Sequence, residues 1–346
     1  MLILWTQGDP NGIGSEIILK AFEALKQSEH QFVVVGSYCM MKYYAKHLGL
    51  NVPIKEIAAL HEISSTADSE EKQLHVLSLS CSVKARVGEI RADAGNLAMQ
   101  AIETAATLCL LQKADAMVTA PIHKQAIQLA GYKFQGHTDF LEHLSRPYDK
   151  AAKAQMILVD RPSALRVALA TVHIPLKEVS ETLRRSDALR TSIEALSKAL
   201  MKDFAILSPR IAVLGLNPHA SDGGVIGREE IEWIQPELDR LKETFNAHGV
   251  FAADGFFGAK LYKQFDAVLA LYHDQGLIPF KMLAFETGVN VTAGLPIVRT
   301  SPDHGTAFDI AGKGIANPKS FIEATLLACE IAAQRKKYQV SSGVEA

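Results

Sequence analysis

The feature that most constrains the fold of this chain is a regular alternation between short apolar runs and longer amphipathic segments. The apolar runs predict nine strands, over Leu2–Thr6, Phe32–Val35, Leu74–Leu79, Ala116–Ala120, Gln155–Val159, Leu165–Thr171, Ile211–Leu216, Ala267–Tyr272 and Val289–Ala293. Helical periodicity predicts helices over Ser15–Lys26, Gly95–Gln112, Glu181–Met201, Glu230–His248 and Lys319–Arg335. This order predicts an α/β fold with mostly parallel sheets and helices on both faces.

Composition narrows the class of protein further. The 346 residues are enough for two domains, and 36 Lys and Arg against 38 Asp and Glu give a net charge of −2. No basic block and no apolar run of roughly 18 residues is present, so we expect neither nucleic acid nor membrane as a partner. The 4 cysteines stand alone, which argues against a disulfide framework or a zinc–thiolate site and fits a soluble cytoplasmic protein.

Glycines and polar residues gather at the predicted strand ends, where open α/β sheets bind their ligands. The first such segment, residues 8–16, resembles a dinucleotide fingerprint, but Ile17 stands at the place of the third glycine. A tight strand-to-helix turn explains these glycines equally well. The segment His137-Thr138-Asp139 is either a helix cap or an anion site at a helix N-terminus.

Three histidines, His173, His219 and His273, each follow an apolar strand. A single histidine in such a place is ordinarily hydrogen-bonded or solvated. Three neutral imidazoles with an open coordination position, however, form the pattern of a catalytic Zn²⁺ or similar ion.

Three further polar residues, Lys281, Asn290 and Arg299, follow at intervals of nine residues. Together they are suited to hold a doubly anionic substrate, with the Arg299 guanidinium as a bidentate donor. The glycine-rich run from Asp303 to Pro318 is either a structured ligand loop or a linker.

Six segments carry a family resemblance, and it spans essentially the whole chain. They are Gly8-Asp9-Pro10-Asn11-Gly12-Ile13-Gly14-Ser15-Glu16, Ala120-Pro121-Ile122, Gly136-His137-Thr138, Asn217-Pro218-His219-Ala220, Tyr272-His273-Asp274-Gln275-Gly276-Leu277-Ile278-Pro279-Phe280-Lys281 and Arg299-Thr300-Ser301-Pro302-Asp303-His304-Gly305-Thr306-Ala307. In this order they resemble the 4-hydroxythreonine-4-phosphate dehydrogenase family. Residues 304–318 also resemble the cofactor loop of isopropylmalate and isocitrate dehydrogenases, which bind NAD(P) without a dinucleotide fingerprint.

The resemblance implies a two-domain α/β/α fold of the isocitrate and isopropylmalate dehydrogenase type. We expect one domain from residues 1–130 plus 300–346 and a second from residues 131–299, with the active site in the cleft between them. The implied reaction is the NAD-dependent and divalent-metal-dependent oxidation of 4-phosphooxy-L-threonine, with decarboxylation to 3-amino-2-oxopropyl phosphate, in pyridoxal phosphate biosynthesis. The family also implies a homodimer with the active site at the subunit interface.

The resemblance assigns roles residue by residue. The implied ligands of one Zn, Mg or Co ion are His173, His219 and His273, and the implied substrate contacts are His137, Thr138, Lys281, Asn290 and Arg299. The implied NAD-binding residues are His304, Gly305, Thr306, Asp309 and Asn317, and the catalytic candidates are Asp254 and Lys281. The proton acceptor stays open between Asp254 and a metal-bound hydroxide.

Some residues depart from the family pattern: Asn11 and Ser15 replace the usual Ala and Pro, and Asp139 replaces the commoner Glu. Relatives in the family oxidise phosphorylated threonate or erythronate, which is one alternative for the substrate. A metal-dependent phosphohydrolase, with His273 and Asp274 activating water, is a second alternative that leaves the loop at 304–317 unexplained. A catalytically silent ligand sensor is the third.

Overall fold

A computed structural model describes residues 1–63, 72–79, 82–185 and 187–342. Its strands are β1 Leu2–Thr6, β2 Gln31–Gly36, β3 Ile54–Ile57, β4 Leu74–Ser78, β5 Ala116–Thr119, β6 Gln155–Asp160, β7 Leu165–Leu169, β8 Ile211–Leu214, β9 Ala247–Phe251, β10 Ala267–Ala270, β11 Gly288–Ala293 and β12 Arg299–Pro302. Its α-helices are α1 Gly14–Leu25, α2 Tyr38–His47, α3 Ala92–Leu110, α4 Lys124–Leu129, α5 His137–Ser145, α6 Val179–Arg185, α7 Ala188–Phe204, α8 Gln235–Leu241, α9 Ala253–Gly258, α10 His273–Ala284 and α11 Lys319–Ser342.

The chain divides into two compact units. The first unit contains Met1–Ala154 and Leu295–Ala332, and the second contains Gln155–Gly294 and the residues from Ala333 onward.

The first unit is built on a parallel sheet with the strand order β3-β4-β2-β1-β5-β12. Its core joins the strand residues Leu4 and Val33 to Ile102 of α3, all of them fully buried. Helices α3 and α4 approach each other closely at Gly95, where an added Cβ would lie 2.2 Å from the Ala126 carbonyl oxygen. Any larger side chain at this position would force the two helices apart.

The second unit has a mixed sheet with the strand order β11-β6-β7-β10-β8-β9. Strands β11, β6 and β7 pair in antiparallel fashion, whereas β7, β10, β8 and β9 are parallel. The core on this sheet includes Val167, Ala212 and Val268. Because β7, β10 and β8 run in the same direction, the loops that follow them emerge at one edge of the sheet.

The predicted α/β class with mostly parallel sheets is confirmed, and each of the predicted strands is present within one or two residues at its ends. The helix predicted over Glu230–His248 is wrong in its last part, because Leu241 ends α8. Residues Ala247–Phe251 instead form β9, which buries Ala247 beside Ile211 of β8. The helix predicted over Glu181–Met201 is divided before α7, where Asp187 has a left-handed φ of 48°.

Two further expectations concern cysteines and membranes. The expectation that the cysteines form no disulfide framework is wrong in one respect, because Cys39 is disulfide-bonded, whereas Cys109 and Cys329 are buried free thiols. No helix in the described part of the chain is long and apolar enough to span a membrane.

Candidate functional site

In the first unit, the turn between β1 and α1 holds a buried carboxyl group. Gly8 has a φ of 70° and leaves room for the Pro121 carbonyl oxygen, which would lie 2.4 Å from any Cβ at this position. Next to it, Asp9 is fully buried; its Oδ1 accepts a hydrogen bond of 2.9 Å from the Asn11 backbone N–H. The other oxygen, Oδ2, has no partner among the described residues. Burial raises the pKa of Asp9 to about 6.

Hydrogen bonds join this turn and α1 to the glycine-rich run at 303–318. The Ile13 N–H donates to the Thr306 carbonyl oxygen at 3.1 Å, and the Ala316 N–H donates to Glu16 Oε1 at 2.8 Å. The Lys20 ammonium donates to the Ala316 carbonyl oxygen at 2.8 Å. The run is therefore a structured loop and not a linker.

This loop carries the residues that the resemblance assigned to NAD. His304, Gly305 and Thr306 follow β12 after one intervening residue, and His304 Nδ1 is 3.1 Å from the Gly305 carbonyl oxygen. Asp309 and Asn317 are exposed, and Asn317 Oδ1 accepts a hydrogen bond from the Lys319 N–H at the start of α11. All five residues thus belong to one structured loop of the first unit.

The buried Arg299 and the half-buried His137 form a basic pair in the same unit. Arg299 is 2% exposed, and its Nε and Nη2 donate to Thr119 Oγ1 at 3.1 and 2.7 Å. Burial lowers the pKa of Arg299 to about 9. His137 donates a hydrogen bond to the Ala120 carbonyl oxygen, and burial together with the Arg299 charge holds the pKa of His137 well below its usual range. The other ring nitrogen, Nε2, is buried and has no partner among the described residues.

The first turn of α5 contains a side-chain cap of the helix. Asp139 is a helix cap, because its carboxylate accepts hydrogen bonds from the Gly136 and Gln135 N–H groups at 3.0 and 2.6 Å. The half-buried Thr138 lies in the same first turn. His137, by contrast, does not cap the helix. Its ring nitrogen Nε2 at the start of α5 is suited to bind an anion.

In the second unit, the three histidines follow three strands that are neighbours in the sheet. His173 follows β7, His273 follows β10 and His219 follows β8, and β10 pairs with both of the others. The registers align Leu169 with Ala270 and Val213 with Leu269, so the histidines lie at the same edge of this sheet.

Two of these imidazoles lie side by side. The ring centroids of His173 and His273 are 5.9 Å apart, and both rings line a cavity of about 400 Å³. His273 begins α10, and its Nδ1 is 2.7 Å from Asp274 Oδ1. A carboxylate in this position fixes the proton on Nδ1 and leaves Nε2 as an electron-pair donor.

His219 occupies a different setting, in a left-handed turn with a φ of 53°. Within the described ranges, no group of three His, Cys, Asp or Glu side chains is arranged to hold a metal ion. The structure thus brings His173 and His273 together and leaves His219 in the adjacent loop. His173 also has a positive φ, of 34°. Backbone conformations of this kind in residues other than glycine are concentrated at functional sites.

The remaining predicted residues of the second unit surround α10. Asp254 is exposed on α9 and borders a cavity of about 300 Å³, which shares Tyr272 and Asp274 with the imidazole cavity. Lys281 is half-buried on α10, two turns after His273. Asn290 lies on β11; its Nδ2 donates to Met156 Sδ at 3.2 Å, and its Oδ1 is buried without a partner among the described residues.

Sequence reasoning missed two residues that hold these groups in place. Thr119, at the end of β5, accepts hydrogen bonds from Arg299 Nε and Nη2, and Glu230 accepts hydrogen bonds from the loop of His219. A polar residue ending an apolar strand was a usable signal for Thr119. Glu230 carried no signal, because its acidic run at 229–232 is typical of a solvated helix face.

An α/β chain with ionisable side chains at the carboxyl ends of its strands is typical of enzymes that convert small metabolites. Residues 27–328 match the family described as "Pyridoxal phosphate biosynthetic protein PdxA", and the chain belongs to this family. It is an oxidoreductase that acts on a CH–OH group, in a family of pyridoxal phosphate biosynthesis.

Individual relatives agree with this assignment. A 4-hydroxythreonine-4-phosphate dehydrogenase of Prosthecochloris aestuarii is 52% identical, over 96% of this chain and 97% of the relative. One from Bacteroides thetaiotaomicron is 41% identical, over 96% and 89%. The crystal structure of 4-hydroxythreonine-4-phosphate dehydrogenase from Klebsiella pneumoniae superposes with a TM-score of 0.83 at 36% identity, over 96% of this chain and 98% of that one.

Proposed function

We propose that this chain oxidises 4-phosphooxy-L-threonine with NAD and a divalent metal ion, and that the product loses carbon dioxide to give 3-amino-2-oxopropyl phosphate. The observation that carries the proposal is the placement of His173, His273 and His219 after three adjacent parallel strands, in a chain whose relatives are named for this substrate. Neutral imidazoles are the ligands that Zn²⁺ and similar ions prefer.

The donor set of the second unit fits such an ion by its chemistry. His173 and His273 are neighbours, and the carboxylate of Asp274 orients the His273 ring as outer carboxylates do at metal-binding histidines. His219 would be the third ligand. When bound, the ion would lower the pKa of the substrate hydroxyl and polarise the ketone that forms from it.

The substrate phosphate is proposed to bind at the basic pair of the first unit. His137 Nε2 is a buried ring nitrogen without a partner among the described residues, and Arg299 places a guanidinium beside it. An arriving anion would favour the protonated form of His137, so both groups would then be charged. Thr138, Asn290 and Lys281 supply further donors for the phosphate and carboxylate.

The loop at 303–318 is proposed to bind NAD, which would accept the hydride from the secondary alcohol. His304, Gly305, Thr306, Asp309 and Asn317 lie on this loop, and the Glu16 and Lys20 side chains hold it. A loop fixed in this way fits a cofactor, because its backbone donors and acceptors are in place before the ligand arrives.

Proton transfer is assigned to the residues around α10. Asp254 is an exposed carboxylate beside the second cavity and is suited to accept the hydroxyl proton. Oxidation leaves a ketone β to the carboxylate, and the carbon–carbon bond to that carboxylate then breaks as carbon dioxide leaves. The Lys281 ammonium would stabilise the negative charge that this step places on the ketone oxygen.

We also propose that the protein is a cytoplasmic homodimer with its active site at the subunit interface. Exposed apolar side chains support the dimer: Ile278 and Met282 on α10 and Phe285 directly after it are spaced to share one side, with Met282 82% and Phe285 79% exposed. A stripe of this kind is costly in water, and a second copy is proposed to cover it. Lys281 lies in the same turns of α10, which would bring this interface close to a catalytic residue.

The experiment is a substrate panel with NADH formation as the readout. The protein, loaded with Zn²⁺, Mg²⁺ or Co²⁺, is given NAD and, in turn, 4-phosphooxy-L-threonine, phosphorylated threonate and phosphorylated erythronate. We expect the highest kcat/KM with 4-phosphooxy-L-threonine. A preference for threonate or erythronate would refute the substrate, release of phosphate without NADH would indicate a phosphohydrolase, and no turnover with any of them would favour a silent sensor.

A further inference from the structure

The loop after β8 has an unusual backbone for residues with side chains. His219, Ala220, Ser221 and Asp222 have φ values of 53°, 49°, 74° and 44°, and Gly223 continues the run at 67°. Residues other than glycine avoid the left-handed region, because Cβ comes too close to the following carbonyl oxygen. Four in succession persist only where the surrounding structure holds them.

One buried carboxylate provides much of that support. Glu230 is 3% exposed, and its Oε1 accepts hydrogen bonds of 2.7 Å from the backbone N–H groups of both Leu216 and Asn217. Its Oε2 accepts a hydrogen bond of 2.8 Å from Asn217 Nδ2 and another from Ser221 Oγ. These bonds are made on both sides of His219, from residue 216 to residue 221.

The residues next to the Glu230 carboxylate pack closely and are hydrogen-bonded to one another. Asn217 Nδ2 also donates to Glu229 Oε2 at 2.8 Å. Gly227 packs closely on this side chain with a left-handed φ of 81°, and an added Cβ would lie 2.5 Å from Asn217 Nδ2. Burial alone would raise the pKa of Glu230, but the hydrogen bonds from Asn217 and Ser221 outweigh it and leave the pKa lowered. The group is therefore a carboxylate that accepts, and does not donate, these hydrogen bonds.

We propose that Glu230 is a positioning residue: its carboxylate fixes the left-handed turn that carries His219, the third proposed ligand of the metal ion. The proposal rests on the proposed metal site. It also gives the acidic run at 229–232 a function, since Glu230 faces inward while Glu232 is exposed and pairs with Arg228 at 2.7 Å.

The chemistry of the carboxylate suggests the variant. A glutamine at position 230 has nearly the same shape but only one accepting oxygen. It cannot accept from the two backbone N–H groups and also from Asn217 and Ser221. Glu230→Gln therefore releases one side of the turn while the side-chain volume is kept. Glu232→Gln, two residues away, is the matched control.

The test is a titration of the metal-free protein with Co²⁺, followed through the visible absorption bands that depend on the ligands. We expect Glu230→Gln to bind Co²⁺ roughly 10-fold to 100-fold more weakly than the parent. Its spectrum should match that of His219→Ala, whereas Glu232→Gln should match the parent. Thermal unfolding of each variant, measured without metal, separates this effect from a loss of folded protein.

Two results would overturn the proposal, and they can be told apart. If His219→Ala loses Co²⁺ affinity while Glu230→Gln keeps the parent affinity and spectrum, Glu230 does not position the ligand and the metal site stands. If His219→Ala itself binds Co²⁺ like the parent, the metal site and this proposal both fail. Should Glu230→Gln not fold, Ser221→Ala decides, with roughly threefold to tenfold weaker binding expected and unchanged binding contradicting the proposal.

Discussion

The buried carboxyl group of Asp9 predicts an unusual dependence of stability on pH. Burial raises the pKa of Asp9 from 3.8 to about 6, so folding favours the protonated form. The contribution of this group to the free energy of unfolding is therefore fully present below its unfolded pKa and is lost as the pH rises through about 6. The shift corresponds to about 3 kcal/mol for a side chain with no exposed surface.

The perturbation is Asp9→Asn, which has the shape of the protonated acid and cannot ionise. As the pH rises from about 4 to about 8, the free energy of unfolding of this variant should increase by about 3 kcal/mol relative to that of the parent. Urea unfolding at a series of pH values measures the difference, in which all other titrating groups cancel. Glu29→Gln, at a side chain that is 90% exposed, is the control and should show almost no change. A parent–variant difference that is constant with pH, or that moves in the opposite direction, would refute the reasoning.

Three further predictions concern charged side chains. Arg299→Lys should lower kcat/KM more than tenfold, because a lysine cannot both hold Thr119, as Arg299 Nε and Nη2 do, and offer the substrate anion a bidentate contact. A lost charge-assisted bond to the substrate costs about 2 kcal/mol. Unchanged kinetics would show that Arg299 does not contact the substrate. Asp309→Ala should raise kcat/KM for NADP relative to NAD roughly fivefold to tenfold, because the Asp309 carboxylate would repel the 2′-phosphate of NADP. Like charges about 4 Å apart repel by about 4 kcal/mol before screening. Equal use of both cofactors by the parent would show that Asp309 does not select NAD. Asp203→Ala should lower the free energy of unfolding by about 3–5 kcal/mol, because it leaves the buried Arg335 guanidinium without the carboxylate to which it now donates at 2.6 and 3.0 Å. A decrease of less than 1 kcal/mol would contradict this prediction.

The strands could be predicted because their signal is local. Runs such as Leu2–Thr6 are apolar on both faces, as a buried parallel strand requires. Strand β12 was not predicted, because its four residues, Arg299–Pro302, are mostly polar although all are buried. Their burial comes from the first unit's sheet and not from their own hydropathy. Strand β9 was not predicted, because the helical periodicity continues through its residues. Pairing with β8 makes this segment a strand.

The site shows the same division between local and long-range information. The strand-end positions of His173, His219 and His273 followed from the apolar runs before them, because the direction of a strand determines where its loop emerges. The left-handed backbone around His219 did not follow. It is held by Glu230, which lies 11 positions further along the chain. Hydrogen bonds between distant residues leave no periodic trace in a sequence.

The central claim, that these three histidines bind one divalent ion, is tested most directly by X-ray absorption at the zinc edge of the metal-loaded protein. The account predicts one zinc ion per chain with three imidazole nitrogens as ligands, and two in His219→Ala. His248→Ala, at an exposed histidine of β9, should keep all three. A zinc shell without imidazole, or a shell that His219→Ala leaves unchanged, would contradict the claim.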